Sequence, residues 1–330
     1  MKVLVTGGAG YIGSALVSAL LKQGATVTVL DDLWFGGEAI LPFLSFDTFR
    51  LVKCDLSADS IPGDVMNDAD CLVHLAAVVG FPACEKAGRD FVWRNNVQGT
   101  QRLYEIAKNS RVKRVVFSSS YSNYGESKDG VPVTEDSPLY PKSLYAESKI
   151  EAERFLLNQA DPQGPAPICL RLATVFGVSP RTRFDLIVNQ FVLEAYTKEY
   201  VELYQENFKR SFVHVQDVVQ AILCVMGAPL DRVRNQVFNV GSEKLNTSKQ
   251  ELIDLIRTYV PRLRVEYRNA SFAGDMRSIH VSFEKMRKIL RFETQINMDQ
   301  GIKELLWTLR NRIISDPLSE RYRNHSAILV

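Results

Sequence analysis

Short apolar runs alternate with longer amphipathic stretches through the first half of the chain. The runs predict strands at residues 2–6, 26–30, 50–53, 71–75, 114–118 and 168–172. Their almost continuous apolar character is typical of strands that are covered on both faces of a sheet. Between them, apolar residues recur at helical spacing over residues 12–23, 89–109 and 143–159. This alternation predicts an α/β fold with a doubly wound parallel sheet and right-handed crossovers.

The second half of the chain is less regular. Its pattern predicts helices at 183–197, 247–259, 282–290 and 298–311, strands at 200–204 and 236–240, and a strand that passes into a helix over 213–227. No internal repeat or low-complexity linker separates the two halves, so we expect them to be intertwined. The polar, charged stretch that begins at Ile313 predicts a loose end.

Composition and charge narrow the class of protein. The 330 residues suggest two domains or one large α/β unit. The 40 basic and 38 acidic side chains leave a net charge of +2, which predicts no nucleic-acid or membrane partner. No apolar run approaches the ~18 residues of a spanning helix, and the first residues lack the pattern of a signal peptide. Five widely spaced cysteines without a C-x-x-C pair and four scattered histidines predict a reduced, cytoplasmic protein without a metal site.

A glycine-rich segment follows the first predicted strand. It contains two overlapping patterns, Gly7-x-x-Gly10-x-x-Gly13 and Gly8-x-Gly10-x-x-Gly13, and the helix begins near Tyr11. Glycines at this spacing allow a tight turn and let the backbone approach a pyrophosphate, which then lies at the helix N-terminus. Because a strand precedes the pattern and a helix follows it, the segment predicts a Rossmann-type dinucleotide site.

Carboxylates follow the second and third strands. Asp31 lies eighteen residues after Gly13, near the distance expected for the residue that binds a ribose 2′-hydroxyl. A carboxylate there repels a 2′-phosphate, so NAD is favoured over NADP. The alternative is that Asp31 only caps the strand end. Asp55 is a weaker candidate for the adenine amino group, with an ordinary loop carboxylate as the alternative.

A tyrosine and a lysine four residues apart are the candidate reactive groups. Tyr145 and Lys149 share one face of a predicted helix. A free phenol has a pKa of about 10, and a nearby ammonium together with a positive nicotinamide would favour the phenolate. Tyr145 could then take a proton from a substrate hydroxyl. Ser120, at the end of an apolar strand, could hydrogen bond the same oxygen. Alone, the pair is equally compatible with a surface helix.

The chain resembles the extended short-chain dehydrogenase/reductases, and among them the nucleotide-sugar epimerase/dehydratase family, over about residues 1–310. The resemblance rests on Thr6-Gly7-Gly8-Ala9-Gly10-Tyr11-Ile12-Gly13, His74-Leu75-Ala76-Ala77, Asn96-Val97-Gln98-Gly99-Thr100, Ser118-Ser119-Ser120 with Tyr124-Gly125, Tyr145-x-x-x-Lys149, and Arg210-Ser211-Phe212-Val213-His214-Val215-Gln216-Asp217-Val218. The interval of 25 residues between Ser120 and Tyr145 is similar to that of UDP-galactose 4-epimerase-like members.

The resemblance implies roles for particular residues. Ser120, Tyr145 and Lys149 would be the catalytic triad. Residues around NAD would be Gly7, Gly10, Tyr11, Ile12, Gly13, Asp31, Asp32, Asp55, Leu56, Leu75, Ala76, Ala77, Asn96, Ser118, Tyr145 and Lys149. Arg210 and Arg277 would bind the diphosphate of a nucleotide sugar, which suits a guanidinium fork.

The resemblance also implies a two-part architecture and a homodimer. A dinucleotide-binding domain would span residues 1–175 with 211–241 returning to it, a smaller α/β substrate domain would span 176–210 and 242–312, and 313–330 would form the tail. The dimer would pair the helices predicted at 89–109 and 143–159. Phe91, Leu103, Phe155 and Leu156 permit this pairing, although the same residues could pack on the sheet instead.

Two departures from the family pattern narrow the chemistry. The 4,6-dehydratases carry an Asp-Glu pair after the catalytic hydroxyl residue, whereas this chain has Tyr121-Ser122-Asn123, which disfavours dehydration. Thr174 stands where the family usually has an asparagine, which changes the expected phosphate contact. Residues 171–186 and 79–84 are similar to bacterial dehydrogenases that oxidise C4 of GDP-manno-heptose. That likeness implies Arg181, Arg183 and Cys84 as substrate-pocket residues, with a solvated loop and a buried thiol as alternatives.

The sequence therefore predicts an NAD-dependent enzyme that oxidises C4 of a nucleoside-diphosphate sugar. Tyr145 would act as general base. Epimerisation and net oxidation to a 4-keto sugar need the same residues, so the motifs do not separate them. A hypothesis of another class is a non-catalytic, NAD-binding regulatory subunit, which the retained Ser120, Tyr145 and Lys149 disfavour.

Overall fold

The chain folds around a seven-stranded parallel sheet. The computed structural model describes residues 1–58, 61–125, 127, 131–159, 161–268 and 279–324. The strands are β1 (Lys2–Thr6), β2 (Thr26–Asp31), β3 (Phe49–Lys53), β4 (Cys71–His74), β5 (Arg114–Ser120), β6 (Ala166–Leu172), β7 (Thr174–Phe176), β8 (Tyr200–Tyr204), β9 (Lys209–His214), β10 (Gln236–Val240), β11 (Asn246–Ser248) and β12 (Arg264–Arg268). The main sheet has the order β3-β2-β1-β4-β5-β6-β10, and all its pairs are parallel.

Helices cover both faces of this sheet, as the near-continuous apolar strands require. The α-helices are α1 (Tyr11–Lys22), α2 (Phe81–Ala87), α3 (Arg89–Val92), α4 (Gly99–Lys108), α5 (Leu144–Leu157), α6 (Ile187–Lys198), α7 (Val215–Gly227), α8 (Leu230–Val233), α9 (Lys249–Arg257), α10 (Glu284–Leu290) and α11 (Met298–Arg310). One apolar cluster contains α1, α7 and one face of the sheet, and a second contains α4, α5 and the other face. The doubly wound, Rossmann-type fold is confirmed.

A second, smaller unit of strands and helices is built mainly from the later residues. β7, β9 and β11 form a three-stranded sheet, and β8 pairs in parallel with β12. A separate apolar cluster, which includes Phe176, Phe191 and Leu305, joins α6, α9 and α11 to these strands. The chain returns to the main sheet through α7 and β10, whereas β9 pairs with β7 and β11 in the small sheet. The domain boundaries at 175, 210 and 241 stay predictions.

The helix predicted over residues 89–109 is interrupted. A π-helical segment, Trp93–Gln98, lies between α3 and α4. Inside it, the Asn96 side chain accepts a hydrogen bond from the Val78 amide at 2.8 Å and donates to the Ser148 hydroxyl at 3.0 Å. The hydroxyl of Thr100 donates to the Asn96 carbonyl at 2.6 Å. These side-chain bonds hold the widened turn, which the spacing of apolar residues does not reveal.

The apolar residues considered for a dimer interface are used within the chain. Leu103 and Leu156 are fully buried against the main sheet. Phe155 packs edge-on against Tyr104, and Phe91 stacks on Trp34. The packing of these side chains on their own sheet was the alternative, and the homodimer stays a prediction. Among the described residues, no helix combines the length and the apolarity that crossing a bilayer requires.

The expectation of a loose end from Ile313 is wrong for the last described residues. Glu320–Tyr322 forms a short 3₁₀ turn, and Tyr322 is buried with its ring edge-on to Phe184. The Phe184 amide donates a hydrogen bond to the Tyr322 carbonyl at 2.9 Å. The polar composition of this segment concealed the single aromatic side chain that anchors it.

Candidate active site

A cleft runs along the carboxyl edge of the main sheet, where parallel α/β sheets bind ligands. Most of the predicted site residues line it, namely Gly7, Gly10, Tyr11, Ile12, Gly13, Asp31, Asp32, Asp55, Leu56, Leu75, Ala76, Ala77, Ser118, Ser120, Tyr145, Lys149, Thr174, Arg181, Arg183 and Arg210. Asn96 and Cys84 are not on its described lining. Arg277 falls outside the described residues. The chain thus brings the predicted dinucleotide and reactive residues into one continuous space.

The glycine-rich turn fits a bound pyrophosphate. Gly7 has φ +70°, and a Cβ placed on it would lie 2.8 Å from the Ala76 amide nitrogen. A Cβ on Gly13 would lie 2.0 Å from the Gly7 carbonyl oxygen. Both contacts involve backbone atoms, so neither position accepts a side chain without moving the turn. The turn leads directly into the first amides of α1, which favour an anion.

The carboxylate predicted to bind a ribose is held in place by backbone amides. Asp31 accepts hydrogen bonds from the amides of Ala9 at 2.9 Å and Leu33 at 2.8 Å. Burial raises the pKa of Asp31, and these two donors act in the opposite direction. Asp32 accepts from the indole of Trp34. Because Ala9 lies inside the glycine-rich turn, Asp31 joins β2 to that turn.

The third acidic residue of this end is fixed locally. Asp55 accepts hydrogen bonds from the amide of Ser57 at 2.7 Å and from its hydroxyl at 2.8 Å. Asp31, Asp32 and Asp55 are the carboxylates among the described residues that line the cleft. Asp31 ends β2, and Asp32 and Asp55 follow β2 and β3, so the described lining around Ser120, Tyr145 and Lys149 has no acidic side chain.

The other end of the cleft, called the reactive end from here on, is lined by Ser120, Tyr145 and Lys149. Burial raises the pKa of Tyr145 to about 12, although hydrogen bonding to Ser120 and the charge of Arg183 act to lower it. Lys149 donates a hydrogen bond from Nζ to the Ser118 carbonyl at 2.8 Å and lies 4.7 Å from the centre of the Phe117 ring. Burial lowers the pKa of Lys149 to about 8, so the ammonium remains charged at neutral pH.

Local structure explains how these three residues converge. Ser120 ends β5 and begins a 3₁₀ turn, in which its hydroxyl accepts from the Ser122 amide at 3.2 Å. Ser143 caps α5, accepting from the Ala146 amide at 3.2 Å. The cap fixes the start of the helix, and Tyr145 and Lys149 follow on its first two turns. A strand end and a helix start therefore place the serine opposite the tyrosine.

Two predicted residues lie behind the wall of the cleft. The Cys84 thiol is fully buried and contacts the Val78 carbonyl at 3.4 Å. Burial raises its pKa to about 12, so it is a neutral thiol at neutral pH. The Asn96 side chain donates to the same carbonyl at 3.0 Å. Both residues therefore hold the loop after β4 rather than line the described cavity.

The residues that distinguish this chain from the dehydratase pattern form their own hydrogen bonds. Tyr121 and Thr174 share a hydrogen bond of 2.7 Å between their hydroxyls. Ser122 lies 2.7 Å from the Ser120 hydroxyl, and Asn123 is fully buried, donating to Ser119 at 3.1 Å. The stretch after Ser120 therefore presents hydroxyl groups to the cleft.

Three described arginines enter the cleft in different ways. Arg183 forms a two-pronged ion pair with Asp185, at 3.0 Å and 2.7 Å. Arg210 lies on β9 and lines the cavity. Arg181 is buried, and its guanidinium stacks 3.8 Å from the centre of the Phe35 ring.

The sequence analysis missed several residues that line the cleft, namely Trp34, Phe35, Val79, Gly80, Phe81, Ser122, Ser143, Leu186 and Asn324. Trp34 and Phe35 lie two and three residues after Asp32, so their place after β2 was a usable signal. No sequence signal indicated Asn324, because it reaches the cleft from a polar segment far along the chain.

Comparison with known proteins is consistent with this geometry. The sequence model of the NAD dependent epimerase/dehydratase family matches residues 3–241. The chain is 30% identical over 323 residues to a UDP-glucose 4-epimerase of Mycolicibacterium smegmatis, covering 94% of this chain and 99% of that protein. It is 28% identical over 338 residues to a dTDP-glucose 4,6-dehydratase of Streptomyces niveus, covering 96% of each. MoeE5 in complex with UDP-glucuronic acid and NAD has a TM-score of 0.80 at 29% identity, covering 94% of this chain and 100% of that one.

Proposed function

Because the chain belongs to the NAD-dependent epimerase/dehydratase family, we propose that it oxidises the C4 hydroxyl of a nucleoside-diphosphate sugar. The observation that supports this reaction is the meeting of Ser120, Tyr145 and Lys149 in the same cleft as the glycine-rich turn and Asp31. The family is NAD-dependent, and the backbone cradle at Gly7 and Gly13 fits the cofactor's pyrophosphate.

Each residue at the reactive end has a separate role in removing the hydroxyl proton. The chemistry that bound NAD supplies is reversible acceptance of a hydride from the sugar carbon. Tyr145 accepts the proton of the hydroxyl, and Ser120 hydrogen bonds the same oxygen. With a pKa of about 12, the phenol is protonated at neutral pH in the protein alone. Added positive charge is needed to form the phenolate. Arg183 already acts in this direction, and Lys149 and the bound nicotinamide are proposed to supply the rest.

Basic and hydroxyl side chains are proposed to bind the sugar nucleotide. Arg183 reaches the reactive end, since its charge acts on Tyr145. Arg210 and Thr174 line the same space. A guanidinium matches the geometry and charge of a diphosphate, so Arg183 and Arg210 are assigned to that group. Arg277 keeps the same proposed role from the sequence.

The fate of the keto sugar determines the product. Dehydration needs an acid and a base beside the catalytic hydroxyl, and the described lining there offers Tyr121, Ser122 and Thr174 instead of carboxylates. This disfavours dehydration, and the proposed outcome is epimerisation, in which hydride returns to the other face of C4. Net oxidation uses the same first step and gives a 4-keto product instead.

The test is a screen of sugar nucleotides with mass spectrometric analysis of the products. A changed sugar of unchanged mass indicates epimerisation, and loss of two hydrogens indicates net oxidation. Loss of water would show dehydration and contradict the argument from the cleft. Turnover of no sugar nucleotide would favour the non-catalytic alternative and overturn the proposal.

Tyr145→Phe isolates the proposed base. It removes the proton acceptor and leaves the ring, so turnover should fall about 10²–10⁴-fold while NAD still binds. Tyr140→Phe is the matched control, because Tyr140 is 54% exposed and is not on the described lining of the cleft. Wild-type turnover in Tyr145→Phe would refute the assignment.

A further inference from the structure

Arg181 lies on a segment that packs against the first turn of α1. The Tyr11 hydroxyl donates to the Gly177 carbonyl at 2.8 Å. The Ser179 hydroxyl donates to the Tyr11 carbonyl at 2.5 Å and lies 3.1 Å from the Ser14 hydroxyl. Three contacts therefore fix residues 177–179 on the helix that begins at the glycine-rich turn. Arg181 follows two residues later and lines the same cavity as the glycine-rich turn.

The guanidinium of Arg181 is buried without a full set of partners. Only 5% of the residue is exposed. Nη1 donates to the Asn324 side-chain oxygen at 2.7 Å, and Nη2 donates to the Arg321 carbonyl at 3.0 Å. Nε is buried and has no hydrogen-bond acceptor among the residues that the structure describes. The same residues provide no carboxylate that forms an ion pair with Arg181.

The charge of this arginine is therefore incompletely compensated. Burial and the neighbouring Arg183 lower the pKa of Arg181 to about 9, while the charges of Asp185 and Asp31 act in the opposite direction. The group remains a cation at neutral pH. A buried cation with an unused donor beside an open cleft is expected to bind an anionic ligand.

The cleft would hold two diphosphates, the pyrophosphate of NAD and the diphosphate of the sugar nucleotide. The surroundings of Arg181 favour the first. Its charge acts on Asp31, the predicted ribose ligand, and its guanidinium stacks on Phe35, four residues further along the chain. Arg183 instead acts on Tyr145 at the reactive end. We propose that Arg181 binds the pyrophosphate of the dinucleotide, and that Asn324 positions it. The likeness to sugar-nucleotide dehydrogenases had implied a substrate contact for Arg181.

Asn324 connects both ends of the cleft. Its side-chain oxygen holds Arg181, and its backbone amide donates to Asp185 at 3.0 Å. Asp185 in turn holds Arg183. Asn324 is 7% exposed and lines the cleft, so it is a positioning residue that sets the guanidinium against Phe35.

Binding of dinucleotide fragments tests Arg181 without any sugar substrate. After bound dinucleotide is removed, Trp34 in the cleft reports binding by fluorescence. Arg181→Gln should weaken ADP-ribose and NAD about 10–100-fold, as expected for loss of a charged hydrogen bond, and should change adenosine binding less than twofold. Normal ADP-ribose binding, or a loss confined to UDP and GDP, would overturn the proposal. Arg181→Lys keeps the charge and should lose less affinity than Arg181→Gln.

Asn324 is tested by a charge-changing variant. Asn324→Asp keeps the acceptor for Arg181 but neutralises its charge, so ADP-ribose affinity should fall at least as far as in Asn324→Ala. If the charge of Arg181 did not act on the ligand, Asn324→Asp would bind ADP-ribose as the wild type does, and that result would overturn the proposal. Wild-type affinity in Asn324→Ala would overturn the positioning role. Asn311→Ala is the control, since Asn311 is exposed and its side chain donates to the Trp307 carbonyl at 2.8 Å. The proposal rests on NAD dependence, so these binding results are independent of the sugar reaction.

Discussion

The buried ion pair between Glu153 and Arg171 offers a direct test of how the site is supported. Arg171 Nη2 and Glu153 Oε1 are 2.5 Å apart, and the two side chains are 5% and 2% exposed. Glu153 also accepts from the Ser119 hydroxyl at 2.6 Å, next to Ser120. Arg171 donates to the Tyr124 hydroxyl at 2.8 Å. The pair therefore joins α5 to β5 and β6 directly beneath the reactive end.

Glu153→Gln removes the negative charge and leaves the size of the side chain nearly unchanged. Arg171 then stays buried as an uncompensated cation, and losses of this kind are about 3–5 kcal/mol. Total stabilities are about 5–15 kcal/mol, so the unfolding midpoint in urea should fall clearly. The measurement is urea unfolding followed by circular dichroism, with the dinucleotide at a fixed concentration because bound ligand shifts the midpoint.

The control is Glu284→Gln, which disrupts an exposed pair with Lys288. That variant should unfold at the wild-type midpoint, because exposed pairs contribute little. Replacing both members of the buried pair, with Glu153→Leu and Arg171→Met, should be less harmful than Glu153→Gln alone. A loss below about 1 kcal/mol in Glu153→Gln would refute the reasoning from buried charge.

Two further predictions concern the glycine turn and the buried lysine. Gly13→Ala places a methyl group 2.0 Å from the Gly7 carbonyl, so calorimetry should detect no NAD binding; retained affinity would contradict the cradle. Lys149 has a pKa of about 8 in the fold and 10.5 when exposed. Between these values the unfolded chain holds more protons, so the stability of dinucleotide-free wild type should rise with pH relative to Lys149→Met, by up to about 3 kcal/mol. A flat difference in urea unfolding from pH 7 to 10 would contradict this.

The elements that could be predicted from the sequence are those whose pattern lies within a short stretch of the chain. The strands of the main sheet are buried apolar runs, and their alternation with amphipathic helices determined the doubly wound topology. Tyr145 and Lys149 could be paired because they lie four apart on one helix. Gly7 to Gly13 and Asp31 could be assigned together because one strand-turn-helix unit and the next strand contain them.

The features that escaped prediction depend on distant contacts. The π-helical segment Trp93–Gln98 is stabilised by bonds from Asn96 to Val78 and Ser148, which periodicity does not encode. The small strands β7 and β11 are three residues long, too short for a clear alternating pattern, and β12 has no buried position that would mark it as a strand. Asn324 reaches Arg181 across 143 residues of chain. Nothing in the polar composition after Ile313 indicated that contact.

The long separation between Arg181 and Asn324 also bears on how the protein is made. A growing polypeptide emerges from the ribosome in order, and its earlier parts begin to fold first. β10, the last strand of the main sheet, ends at Val240, so that sheet is available for assembly well before Asn324 is synthesised. During translation the cleft passes through a stage in which Arg181 has emerged and its amide partner has not. A chain stalled at that stage would assemble its main sheet yet lack the contact that positions Arg181 for the cofactor.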